Sequence, residues 1–95
     1  MTEPITSVRL RIRGRVQGVW YRGWAVGQAQ KLGLSGWVRN RQDGSVEALI
    51  SGPEAHLRVM IERCRRGPPA ARVDAVLEEP ADEPVRPGFR QLPTI

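Results

Sequence analysis

Ser7-Val8-Arg9-Leu10-Arg11-Ile12-Arg13-Gly14-Arg15-Val16-Gln17-Gly18-Val19-Trp20-Tyr21-Arg22 changes its period partway along. Val8, Leu10 and Ile12 alternate with Arg9, Arg11 and Arg13, which is the pattern of a half-buried strand over residues 7–13. Two glycines then break the alternation, and residues 14–21 read as a loop. From Arg22 to Leu32 the spacing is helical. Ala25, Ala29 and Leu32 share one stripe with Val26 beside it, Lys31 sits in the last turn, and Gly33 suits a left-handed C′ position.

The remaining elements follow outward from this unit. Residues 36–40 and 45–51 read as strands joined by Arg41-Gln42-Asp43-Gly44, and Asp-Gly is a strong hairpin signal. Gly52-Pro53-Glu54 opens a second helix. Proline fits the first helical position, where its missing N–H has no partner, and Glu54 suits the positive end of the dipole. Leu57, Met60, Ile61 and Cys64 form its core stripe, and Gly67-Pro68-Pro69 ends it. A fourth strand covers residues 72–78. A Pro-rich, acidic loop follows over 80–88, and residues 89–92 make a short last strand.

The order β-α-β-β-α-β predicts an α+β fold, a ferredoxin-like sandwich. It has an antiparallel sheet with two helices on one face, plus a short C-terminal strand. In this topology strands one and two run the same way with strand three between them. Their C-terminal ends meet at one edge of the sheet, so Arg22 and Asn40, distant in sequence, are expected there together.

Ninety-five residues are enough for a single domain, residues 1–95, with one modest core. No apolar run approaches the ~20 residues of a membrane helix, and residues 1–6 lack the basic-then-apolar pattern of a secretory signal. One cysteine forms no internal disulfide, so a cytoplasmic, reducing setting is expected. The formal charge of +5 is almost entirely arginine, since Lys31 is the only lysine. That suits an anionic ligand, whether nucleic acid, a membrane surface or a small phosphate compound, and equally suits a solvated basic surface.

The loop narrows the choice. Its glycines let successive N–H groups turn toward one point, and a helix N-terminus adds free N–H groups and partial positive charge. Together they make a cradle for a phosphate-sized anion. Arg22, a cation in a helix first turn, is disfavoured there by roughly 0.3–1 kcal/mol. A bound anion making a bidentate contact removes that penalty; a solvent-facing or surface-paired Arg22 is the alternative. The spacing is neither a Walker motif nor a dinucleotide motif. Asn40 is in phase with Val38 and should lean toward the helices. Its amide offers a donor and an acceptor, as holding a water requires, or it merely tolerates an unusual backbone angle beside the turn.

Gly14-Arg15-Val16-Gln17-Gly18-Val19-Trp20-Tyr21-Arg22 resembles the acylphosphatase signature G-x-V-Q-G-V-x-[FY]-R. Gly36-Trp37-Val38-Arg39-Asn40-Arg41-Gln42-Asp43-Gly44-Ser45-Val46-Glu47 resembles the family's second signature, G-W-V-x-N-x-x-D-G-x-V-E. The resemblance extends over nearly the whole chain. It implies hydrolysis of the carboxyl–phosphate bond of small acyl phosphates, with no metal, no other cofactor and no covalent intermediate. It implies that Arg22 binds the substrate phosphate, that backbone N–H groups of Gln17, Gly18 and Val19 complete the cradle, and that Asn40 orients the attacking water. The substrate phosphate itself would take the proton.

Trp20 and Trp24 bring bulky aromatics to the loop. Trp20 is expected to cap the core, with a part in acyl-group preference as the alternative. Competing functions fit less well. An RNA-recognition module stacks bases on aromatics of its first and third strands, and residues 7–13 and 45–51 contain none, so no nucleic-acid partner is expected. Cys64 stands alone in the core stripe and His56 is a lone surface histidine, which leaves no metal set and no Ser–His or Cys–His nucleophile. The remaining rival is a specialised relative, either a non-catalytic anion-binding domain or a carbamoyl-phosphate-handling module of a larger machine. The short length points to a free-standing enzyme, expected to be a monomer.

Overall fold

The computed structural model describes residues 4–95; Met1, Thr2 and Glu3, part of the start read above as lacking a secretory signal, lie outside the described residues. The elements run β1 (Ile5–Arg15), α1 (Tyr21–Lys31), β2 (Ser35–Asn40), β3 (Val46–Pro53), α2 (Glu54–Arg66), β4 (Arg72–Pro80) and β5 (Phe89–Gln91). The strands form one sheet in the order β4-β1-β3-β2-β5. β3 is antiparallel to both β1 and β2, so β1 and β2 are parallel and end at the same edge. This is the ferredoxin-like arrangement expected from the element order. Among the described residues no helix is long and apolar enough to cross a membrane.

The alternation in β1 places Val8, Leu10 and Ile12 in the core. They meet Val38 from β2 and Val46, Ala48 and Ile50 from β3. The helices supply Ala25 and Ala29 from α1 and Leu57, Met60, Ile61 and Cys64 from α2, all buried as their stripes require. Tyr21 ties the start of α1 to the far end of α2: its hydroxyl donates to the Cys64 carbonyl at 2.7 Å. Burial, then the contact with Cys64, raises the phenol above its usual range and keeps it a neutral donor.

Several element bounds shift by a few residues from the sequence reading, and three departures affect the architecture. β1 continues past Arg13 through a bulge to Arg15, pairing with Val73 and Arg72 of β4. Gly14 makes this possible with φ 130°, at a point where a Cβ would run into the Arg72 carbonyl. Pro53 is not the first helical residue. It stays extended at φ −60°, ψ 140° as the N-cap, because Gly52 and Pro53 remain paired with Thr6 and Ile5. The sheet is mixed rather than wholly antiparallel, since β5 pairs parallel with β2, Gly36 opposite Phe89. β4 and β5 occupy opposite edges, and the helices cover one face. The segment 81–88 therefore crosses the other face. Its path is traced by Ala81 N–H donating to Ser7 O, an Arg9–Glu83 ion pair, and Gly36 N–H donating to Gly88 O.

That outer face holds a carboxylate among arginines. Glu47 on β3 is only 4% exposed. Arg39 Nε and Arg41 Nη1 contact its Oε1 at 2.8 and 2.9 Å, and Arg9 and Arg11 approach its Oε2 at 3.8 Å. Arg39 also lies 4.5 Å from the Trp37 ring centre. Burial is the largest influence on Glu47 and opposes its charge, yet the hydrogen bonds and attraction of Arg39 and Arg41 outweigh it and hold its pKa below the ordinary glutamate value. A depressed carboxylate stabilises the fold above its unfolded pKa, and that stabilisation is lost as pH falls through the folded value. Glu47→Gln is expected to cost about 2–3 kcal/mol at pH 7, less than for a fully buried pair because water reaches the arginines. In urea unfolding the gap to wild type should narrow as pH drops below ~4; a gap independent of pH would contradict this account.

Candidate active site

The end of β1, the loop after it, the first turn of α1 and the end of β2 converge on one edge of the sheet. There Val16, Gly18, Trp20, Tyr21, Arg22, Gly23, Asn40 and Gln91 line a cleft of about 120 Å³. Arg22 and Asn40, 18 positions apart in sequence, thus share one cavity, as the topology requires.

The loop is held in place by a side chain. Gln17 Nε2 donates to Arg41 O at 2.7 Å and to Ser45 O at 2.8 Å. Both acceptors belong to the β2–β3 turn. That turn is closed by Arg41 N–H to Ser45 O at 2.9 Å and Gly44 N–H to Arg41 O at 3.1 Å. Asp43 braces it, accepting from the Ser45 hydroxyl at 2.6 Å and the Ser45 N–H at 2.9 Å, contacts that lower its pKa. Sequence reading gave Gln17 only a backbone role. A polar side chain that bridges to carbonyls 24 and 28 positions away has no local signal. Of the three residues expected to offer N–H groups, Gly18 lines the cleft, whereas Gln17 and Val19, its chain neighbours, are not among the lining residues and Val19 packs against the core.

Trp20 is the N-cap of α1, in a left-handed conformation at φ 64°, ψ 28°, and its side chain makes no capping hydrogen bond. The first turn contains no acidic residue. Among the described residues, no backbone N–H from Gln17 to Gly23 has a protein acceptor. The same holds for the side chains of Arg22 and Asn40, which make no hydrogen bond, and for Arg22 no ion pair. Elsewhere in the molecule arginines are extensively paired with carboxylates, as around Glu47. Free N–H groups, a helix N-terminus and an unpaired guanidinium facing one small cleft form an anion-binding arrangement. Asn40 is fixed from behind: its carbonyl accepts from Ile95 N–H at 3.1 Å, and Leu92 N–H donates to Val38 O at 2.8 Å.

The expectation that Trp20 caps the core is overturned. The residue is 73% exposed, because the left-handed N-cap turns it away from the core. Trp24 does pack against the core, edge-on to Tyr21 with ring centres 5.3 Å apart. A wider depression of about 230 Å³ lies between Arg13, Gly14, Asp43, Gly44 and Ser45. It lacks a helix N-terminus, and its Asp43 carboxylate is already engaged by Ser45 and Arg11. His56 is exposed on the first turn of α2, at the opposite end of the sheet from the cleft. Cys64 is buried, and burial pushes its thiol up to about 11, which suits packing and not nucleophilic attack. Among the described residues no three of His, Cys, Asp and Glu gather as a metal-ligand set.

Comparison with known proteins bears on the family and the fold. The acylphosphatase family profile matches residues 8–91. An acylphosphatase of Rhodospirillum rubrum is 58% identical over 89 residues, covering 94% of this chain and 98% of that protein. The structure of an acylphosphatase from Coxiella burnetii superposes with a TM-score of 0.89 at 32% identity, covering 93% of both chains. That of the Bacillus subtilis acylphosphatase gives 0.82 at 36% identity, covering 94% of this chain and 99% of the other. Shared sequence over nearly the full length, together with the shared fold, shows that this chain belongs to the acylphosphatase family.

Proposed function

We propose that the chain hydrolyses small acyl phosphates to carboxylate and phosphate, and that the cleft between α1 and β2 is where this happens. The observation that carries the reading is the pairing, in one cavity, of a first-turn guanidinium and an amide that have no side-chain partner among the described residues. Arg22 and the loop N–H groups around Gly18 hold the phosphoryl oxygens, and Asn40 holds a water beside phosphorus.

The water oxygen forms a bond to phosphorus while the bond from phosphorus to the acyl oxygen breaks. The electron pair leaves on the carboxylate, and the water's proton passes to a phosphoryl oxygen. A carboxylate is stable once expelled and needs no acid to protonate it. Positioning and charge neutralisation are therefore sufficient catalysis. This is consistent with a site in which neither His56 nor Cys64 takes part. The rival of a non-catalytic anion-binding domain uses the same cradle but gives Asn40 no task.

The chain works, in this reading, as a cytoplasmic monomer. A reducing compartment suits the lone Cys64 thiol, and the exposed large apolar residues sit on separate elements. The test is hydrolysis of benzoyl phosphate in ¹⁸O-labelled water with a chelator present. Turnover with the label in inorganic phosphate is expected. Label in benzoate would move the attack to the acyl carbon and sink the proposed roles, and no turnover by folded protein would leave only anion binding.

A further inference from the structure

The cleft is small and open: its volume is about 120 Å³, under half the ~300 Å³ of the smallest ordinary ligand pockets. Once a phosphate and a water occupy it, an acyl group attached to that phosphate must lie across the lip. Among the described residues the exposed large hydrophobics are Ile5, Trp20, Val59, Leu77 and Ile95. Only Trp20 lines the cleft.

Two features of Trp20 are unfavourable for the fold. It is the only non-glycine among the described residues with positive φ, a conformation costly for an L residue with a bulky side chain. It also leaves most of an indole in water. The ring is nevertheless supported. A Cβ at Gly23 would strike its Nε1 and crowd the rest of the five-membered ring, so the indole rests on the first turn of α1 over the one residue there without a side chain. The ring is thus backed by the first turn of α1 and is otherwise largely open at the mouth of the cleft.

We propose that Trp20 is the acyl-group platform of this enzyme: the acyl moiety lies on the free indole face, and the chain favours aromatic over small aliphatic acyl phosphates. This rests on the acylphosphatase reading above. A planar aryl group gains both apolar contact and ring–ring contact there, whereas an acetyl group is too small to cover the ring.

The test compares kcat/KM for benzoyl phosphate and acetyl phosphate in wild type, Trp20→Asn, Trp20→Gly and Trp20→Phe. Asparagine and glycine accept the left-handed cap, so these variants keep the loop while removing the ring; circular dichroism and thermal unfolding verify that they fold. The benzoyl-to-acetyl ratio should fall about tenfold in the Asn and Gly variants, through a higher KM for benzoyl phosphate, and be largely retained in Trp20→Phe. An unchanged ratio in folded variants would overturn the platform, even if both rates fall together, because Trp20 would then act only through the backbone cap. A folded wild type inactive on both substrates would instead overturn the underlying activity, and the platform with it.

Discussion

Replacing Arg22 with glutamine is expected to lower kcat/KM for benzoyl phosphate by about 10³-fold, at the upper end of what loss of one preorganised oxyanion donor costs. Arg22 lines the cleft in the first turn of α1 and has no protein partner among the described residues. Its charge and fork of donors are therefore available to phosphoryl oxygens, and glutamine supplies neither the charge nor the bidentate geometry. Stability should move the other way. Removing a cation from the positive end of a helix relieves roughly 0.3–1 kcal/mol of unfavourable interaction. Loss of activity in a protein at least as stable as wild type separates a substrate-binding arginine from a structural one. Arg22→Lys, which keeps the charge and loses the fork, should recover only part of the rate. Full activity in Arg22→Gln, or a large loss of stability, would contradict the role.

Asn40→Ala is expected to act on a different parameter. Its backbone is held independently of its side chain, by pairing with Val46 and by the Ile95 N–H bond. The strand end should therefore survive truncation. A residue that holds the attacking water and not the phosphate affects the reaction step more than binding. kcat should fall about 10²-fold with KM changed far less. Asn40→Asp keeps the acceptor but sets a negative charge beside the phosphate, so it should raise KM as well. If Asn40→Ala raised KM and left kcat intact, the amide would belong to the phosphate cradle and the water would need another holder.

The meeting of Arg22 and Asn40 in one cleft is legible in the sequence, for a definite reason. The alternation of Val8, Leu10 and Ile12 with arginines fixes which face of β1 is buried, because a slip of one residue would bury the arginines. With β1 and β2 parallel in the βαββαβ order, the meeting of Arg22 and Asn40 follows from topology alone. What escaped depends on long-range geometry. The partner of β5, three residues long, is set by where segment 81–88 finishes crossing the sheet, and nothing in Phe89-Arg90-Gln91 encodes parallel pairing. Pro53 carried a genuine helix-start signal, but pairing with Ile5 kept it extended. Trp20 misled because a large apolar residue beside a core helix ordinarily packs inward, and a left-handed N-cap is a backbone state that residue type disfavours.

The most direct test of the central claim is a titration of ¹⁵N-labelled protein with inorganic phosphate, a product of the reaction, followed by amide shifts. Binding at the cleft predicts saturable changes confined to Gly18, the Trp20–Gly23 turn and Asn40, lost in Arg22→Gln. Shifts centred instead on Arg13, Asp43 and Gly44, or unaltered by the Arg22 substitution, would place the anion elsewhere and contradict the account.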